Sequence, residues 1–363
     1  MPANARCLRR ERGAGMVELM VAVLIELLAV AIIWQVVQNT EGYKRKTTGV
    51  SDVQQAATFA LYSLGLEAAN AGSGVSLAST ELANCPDTKD AATTLRPVPA
   101  LIVAGASNDV PDQLVLTYGT ARVMAAPANL LEKSPADNQF VVQSPNGFAV
   151  GDRVVAVQQT AGVCTSALVT ARSPALPPAA TPAAGGRILV TTGTNAAVKF
   201  KLDSDVSVSV LIDLGPAGER QRLRYAVVDS SLVSTDLLDA AAVPVTLATN
   251  VVNVKFQYGI DTDATPDNIA DTWVPATGNW AQDKVLAASL QDLMRIKALR
   301  IGIVMRSSEY DRAITGTTPY TLFDCAAHDD TCVGRITGKL PANWRYRVYE
   351  TVVPLRNQLW NGP

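Results

Sequence analysis

AGMVELMVAVLIELLAVAIIWQVV, residues 14–37, is the stretch on which the reading of this chain turns. Only Glu18, Glu26 and Gln35 interrupt its apolar run, and at about 1.5 Å per residue it is long enough to cross a hydrocarbon core of about 30 Å. No second stretch of that kind occurs in the 363 residues. The preceding residues 1–13 carry Arg6, Arg9, Arg10 and Arg12 against Glu11, so a basic head precedes one membrane-spanning helix. The positive-inside rule puts that head in the cytoplasm and everything after the helix on the far side. The flank lacks the small-residue cleavage site of a secretory signal.

The helical pattern continues beyond the membrane segment. Val50, Val53, Ala57, Leu61 and Leu64 recur at three and four residues, with Asp52, Gln55, Ser63 and Glu67 on the other face, the pattern of an amphipathic helix. Proline is absent from 14 to 71. The spacing therefore predicts one helix over 14–72, closed by the glycines of Asn70-Ala71-Gly72-Ser73-Gly74, where a left-handed cap ends helices.

A carboxylate five residues into a membrane helix costs a few kcal/mol and calls for a partner. Gly13 directly before the run, with Glu18 at its fifth position, resembles the processing signal of type IV prepilins. The resemblance implies cleavage by prepilin peptidase after Gly13, methylation of the new amine on Ala14, and pairing of Glu18 with an N-terminal amine during fibre assembly. Ala14 stands where that family prefers phenylalanine, and Glu26 is a second charge with no family role. The segments RGAGMVELMVAVLIELLAVAI, FALYSLGLEAANAGSG, VKFQYGIDTD (254–263), KALRIGIVMRSS (297–308) and RYRVYETVVPLRNQ (345–358) are together similar to the PilW group of minor pilins. The implied fold class is α+β and type IV pilin-like, a long N-terminal helix followed by a mainly antiparallel β head.

After residue 74, short β-branched runs alternate with Gly, Pro, Asn and Asp, the pattern of antiparallel sheets. Strands are expected at 113–118, 140–143, 153–158, 167–171, 187–191, 197–202, 206–211, 223–228, 251–258, 298–305 and 346–354, with short helices at 281–288 or 290–297. The unperiodic SPALPPAATPAAGG at 173–186 reads as a surface loop. The expected division of the head 73–363 is an inserted β subdomain at about 85–200 and a pilin-like sheet at about 201–363.

Cys7 lies in the leader, which leaves Cys85, Cys164, Cys325 and Cys332 in the head. In an oxidising compartment four cysteines allow three connectivities, the most local being Cys325 with Cys332 and Cys85 with Cys164. Zinc at Cys325, His328 and Cys332 would have three ligands from Cys and His and no second pair nearby. Asp261, Asp263, Asp267 and Asp271 fall in one hydrophilic loop that suits calcium, although Pro266 replaces the sharp-turn glycine of an EF-hand and Thr272 its bidentate glutamate. The bland alternative is a solvated turn in which aspartates bond their own backbone. No cofactor is expected beyond that calcium.

Composition narrows the function classes. With 48% hydrophobic and 18% charged residues the chain is not a disordered polyelectrolyte. A net charge of −2 gives no field to hold nucleic acid. One histidine in the whole chain leaves no conventional triad, and no enzyme is expected. The PilW resemblance implies a minor pilin of a tip or priming complex that initiates pilus assembly and presents a PilY-family tip protein, with other minor pilins and the major pilin as partners. It implies an inner-membrane single-pass protein with a periplasmic head before assembly, and the fibre tip after it. The alternatives are a pseudopilin of a type II secretion system and a membrane-anchored periplasmic binding protein.

Overall fold

The structure is a computed structural model, and it describes residues 15–74, 85–86, 94–95, 98–121, 127–131, 139–142, 145–158, 163–173, 186–191, 209–219, 221–239, 241–324 and 334–359. The chain divides into two units, 1–52 and 53–363, with the division falling inside the first helix.

That helix, α1, spans Met16–Asn70. In its first part every large apolar side chain from Met16 to Val37 is exposed, so nothing among the described residues buries it. In its second part Val53, Ala57, Ala60, Leu64, Ala68 and Ala71 form a buried face at three- and four-residue spacing. Leu61 and Val50, expected in this face, are half-buried. Alanines take the central places because sheets pack on the helix closely there. Gly72 and Gly74 both have positive φ, 80° and 72°, and the Gly72 amide donates to Thr117 O at 2.8 Å, which ends the helix in the left-handed manner.

A two-stranded ribbon of β1 (Cys85–Pro86) and β2 (Thr94–Leu95) follows, then β3 (Ala100–Val103) and β4 (Gln113–Thr117). Next come β5 (Ala128–Asn129), β6 (Gln139–Val142), β7 (Asp152–Gln158), β8 (Val163–Ser173), β9 (Gly186–Thr191) and β10 (Ser209–Pro216). The chain goes on with β11 (Arg222–Val228), β12 (Ser231–Asp236), β13 (Val245–Thr249), β14 (Val251–Ile260) and β15 (Thr272–Pro275). Two short helices, α2 (Gln282–Leu286) and α3 (Leu290–Met294), precede β16 (Ile296–Arg306), the hairpin β17 (Thr318–Leu322) and β18 (Ile336–Leu340), β19 (Tyr346–Pro354) and α4 (Arg356–Leu359).

Every strand pairing among the described residues is antiparallel, and the architecture is the α+β class expected from the sequence, an N-terminal apolar helix followed by mostly antiparallel sheets. Two sheets share one core with residues 53–71 of α1: a five-stranded sheet in the order β13-β12-β11-β4-β3 and a four-stranded sheet in the order β15-β14-β16-β19. Alternate residues of β14 and β16, Val254, Phe256, Tyr258 and Ile260 with Leu299, Ile301, Ile303 and Met305, fill that core, as a sheet covered on this face requires. The β17–β18 hairpin covers the opposite face, burying Tyr320, Leu322, Phe323 and Leu340 against Val304.

A buried ion pair fixes the loop between β3 and β4 to β14. Lys255 Nζ lies 2.8 Å from Asp112 Oδ1 and also donates to Ser107 O at 3.0 Å and Val110 O at 2.7 Å. Asp112 in turn accepts from the amides of Gly105 and Phe256. Every ammonium proton thus has an acceptor, which is the condition for burying a charge at all.

The strands β5-β10-β7-β8-β9-β6 form a third sheet. Just after β5, Leu130 bridges to Val142 of β6, and the Leu131 amide donates to Val141 O at 3.0 Å. The two ends of the sheet therefore meet and close a six-stranded barrel between Ala128 and Pro216. Leu130, Phe140, Val142, Phe148, Val154, Ala156, Val169 and Leu211 pack together on one side, filling the interior as small barrels require, and the alternate residues Val155, Val157, Ile212 and Leu214 pack against Leu238 on the outside. Because β3 and β4 join the sheet on the helix, residues 100–117 belong with the core and β10 belongs with the barrel. The expected strand at 197–202 lies outside the described residues.

The junction between barrel and core is polar. Gln221 Nε2 donates to the carbonyls of Leu214, Gly215 and Pro216 at 2.8, 3.0 and 3.1 Å, and the Thr120 amide donates to Leu214 O. Asp213, in the bulge of β10 beside this clamp, accepts from the Gly215 amide. Burial pushes its carboxyl up to about 6 from an ordinary value of 3.8, and the nearby Asp152 adds to the rise.

Candidate functional site

The expected site residues fall in three places. Gly13 and Ala14 lie outside the described residues, as do Cys325, His328 and Cys332. Glu18 opens the first turn of α1, with its amide donating to Gly15 O at 2.9 Å, and it is exposed with the apolar residues around it; Glu26 is exposed on the same helix. Residues 16–41 form a helical stretch long and apolar enough to cross a membrane, with a mean hydropathy of 2.7. Such a surface in water would violate the burial rule at nearly every position, so lipid or other apolar helices must cover it.

Residues 53–71 bring an exposed apolar stripe that the amphipathic pattern obscured. Phe59, Tyr62 and Leu66 are 58%, 69% and 54% exposed. They lie on the side of α1 away from the alanine face, among residues whose polar neighbours Asp52 and Gln55 suggested a solvated side. The signal was present in the sequence as three large apolar residues at i, i+3 and i+7, offset from the core face by about half a turn.

The aspartate loop between β14 and β15 brings three of its four carboxylates together. Oxygens of Asp261, Asp263 and Asp271 all lie within 4.8 Å of one another, with Asp261 fully buried and the other two exposed. Asp267 is not among them; its Oδ1 accepts from the Ile269 amide two residues on. Asp261 holds the loop by accepting from the amides of Asp263 and Asn268 at 3.2 and 2.9 Å, and Asp271 Oδ2 accepts from the amide of Thr262 at 2.7 Å. These are the self-bonded aspartate turns that the sequence also allowed. Repulsion from Asp271 raises the Asp263 carboxyl above its ordinary range, with desolvation, Asp267 and Asp261 adding to it. Lys297, nearly buried beneath the loop, donates to Asn268 Oδ1 at 2.7 Å, and burial lowers its pKa while Asp261 opposes that effect.

Cys164 in β8 is disulfide-bonded. The ribbon strand β1, which begins at Cys85, packs against β8.

Comparison with known proteins bears on the C-terminal half of the head. Residues 219–357 match PilW, the type IV pilus-assembly protein W family. The matched span runs from just before β11 into α4, so it holds β14, β16 and β19, the carboxylate loop and the β17–β18 hairpin, and it stops short of the barrel. Among solved structures a type IV-like pilin from Thermus thermophilus is similar at 13% identity, with a TM-score of 0.24, over 38% of this chain. The chain spans 65% of the length of that pilin. No curated protein matches the sequence. The PilW match supports a role in type IV pilus assembly, and the apolar start of α1 supports membrane anchoring.

Proposed function

We propose that this chain is a minor pilin that waits in the inner membrane with its head in the periplasm, then joins a tip or priming complex that starts type IV pilus assembly and presents a PilY-family protein. The observation that carries the reading is α1 itself. One helix supplies an apolar segment that no described residue covers and, from Val53 onward, the central element of the head's core. A helix of that kind leaves lipid only for equivalent apolar helices, and head-to-tail packing of such subunits makes an open fibre. Cleavage after Gly13 frees the Ala14 amine, and Glu18 pairs with such an amine on a neighbouring subunit. Other minor pilins, the major pilin and prepilin peptidase are the partners this implies. A head with an added barrel is bulky for repeated packing, which favours a place at the fibre end over one along its length.

Intact-mass and N-terminal peptide analysis of the chain purified from its own membranes tests this reading. The expected product begins at N-methylated Ala14 and carries two disulfides, Cys85 with Cys164 and Cys325 with Cys332. The contact of β1 with β8 favours the first pairing. A chain that keeps residues 1–13 would mean an ordinary signal anchor and end the fibre proposal.

A second reading concerns the loop between β14 and β15, where the convergence of Asp261, Asp263 and Asp271 favours a calcium ion. Calcium would relieve the repulsion that raises the Asp263 carboxyl. Thermal melting in millimolar CaCl2 is expected to rise by several degrees over MgCl2 or chelator at pH 7.5, and to lose that rise in Asp271→Asn. Coincident melts in the three buffers would leave the loop as a self-bonded turn.

A further inference from the structure

The four-stranded sheet ends in β19, the longest edge strand among the described residues. Its register with β16 is unbroken from Ala298↔Pro354 to Arg306↔Tyr346. The Ser307 amide donates to Arg345 O, and the Leu355 amide to Lys297 O, at the two ends of this pairing. In an antiparallel ladder alternate residues exchange bonds with the partner strand. The odd-numbered residues of β19 therefore bond to β16, and the amides and carbonyls of Tyr346, Val348, Glu350 and Val352 point to the free edge. None of these backbone groups has a partner among the described residues. Val348 and Val352 are also exposed, 37% and 53%. Nine residues of open ladder with apolar side chains is a liability that folded proteins normally cover.

The edge runs into the exposed stripe of α1. A Cβ at Gly65 would lie 3.6 Å from Val353 Cγ2, so β19 lies against the helix at Gly65. At about 100° per residue, Leu64 lies to the core side of Gly65, whereas Tyr62 and Leu66 follow on the other side at about 60° and 100°. Tyr349 and Val353 turn into the helix core, so Val348 and Val352 lie on the other face of the sheet, and the free edge forms a surface flanked by the helix stripe on one face and by these two valines on the other.

We infer that this surface receives an edge strand from the head of a different pilin-like subunit, which extends the β14-β16-β19 sheet while its apolar residues cover Val348, Val352, Tyr62 and Leu66. The inference borrows the assembly reading only for the kind of partner; the free edge stands without it. Strand addition takes its affinity from main-chain bonds and its specificity from alternate side chains. The incoming strand should carry apolar residues beside Val348 and Val352 and an acid beside the exposed Arg347, which has no acid within ion-pair distance among the described residues. A second copy of this chain fits poorly. Two-fold pairing of β19 with itself would set the two copies of residues 53–70 antiparallel, whereas subunits drawn from one membrane carry them the same way. The remaining edge strands among the described residues, β1, β2, β3, β13, β15, β17 and β18, have only two to five residues, and the barrel has closed its own edges.

The test uses the full chain in cells, with a photo-crosslinking amino acid at Val352 and mass-spectrometric mapping of the adduct. The expected adduct lies on an edge strand of another protein that has its own N-terminal apolar helix. Val348→Pro removes only an outward amide and leaves the bonds to β16 intact, so it should cut the adduct at least tenfold while the melting temperature stays within a few degrees. Val348→Lys, which keeps the amide but charges the edge, should do the same and guards against a proline that misfolds the strand. Adducts with a second copy of this chain, adducts with a helix, or yields unchanged in both variants would overturn the inference. No adduct in cells where the chain is processed after Gly13 would overturn it too, whereas an unprocessed chain counts against the assembly reading itself.

Discussion

Glu18→Ala is expected to leave the chain in the membrane and to abolish its entry into fibres. Removing a carboxylate from an apolar helix lowers the cost of insertion, so anchoring is retained. If Glu18 pairs with a neighbouring amine as proposed, that amine would be left without its partner among apolar helices, a loss of about 3–5 kcal/mol. That corresponds to a fall of two or more orders of magnitude in incorporation. Quantitative blotting of sheared fibres against membranes measures it, and Glu18→Asp should recover part of the loss. Unchanged incorporation of the alanine variant would sink the pairing role.

Asp112→Ala is expected to destabilise the head strongly. Lys255 is 4% exposed and has no other acid within ion-pair distance among the described residues, so the variant strands a buried ammonium at about 3–5 kcal/mol, a large share of the roughly 5–15 kcal/mol that holds a typical domain. Urea denaturation of the detergent-solubilised chain should show the midpoint shift. The double variant Asp112→Leu with Lys255→Met should return most of the stability, because two apolar side chains need no compensation in that place. A single variant within 1 kcal/mol of the parent would show that the pair does not hold the β3–β4 loop.

The central strands of the core were legible because their signal is local. Residues 251–258, 298–305 and 346–354 are dense in β-branched and aromatic side chains, and β14, β16 and β19 occupy them. β12 and the β17–β18 hairpin escaped notice: SLVSTD, TPYTL and ITGKL carry too few apolar residues to show a period. They are held as strands by the neighbours they pair with, a tertiary effect that overrides weak propensity. The carboxylate loop was legible as a cluster, but its geometry was not. Asp267 turns to its own backbone, while Asp271, ten residues beyond Asp261, returns to it because the Asp271 amide bonds Ile260 O at the end of β14.

The sequence by itself determined that a long, largely apolar helix follows the basic residues 1–13, that it continues with one buried face, and that an antiparallel β head follows. Length, hydropathy and the 3.6-residue period are properties of contiguous residues and need no knowledge of the rest of the fold. Only the tertiary structure decided that the barrel closes through Leu130 and Val142, and that Asp112 meets Lys255 across 143 positions. It alone left β19 without a second partner strand among the described residues, close to Tyr62 and Leu66. Each of these depends on which strands pair and in what register, and register is fixed by burying all the apolar faces at once.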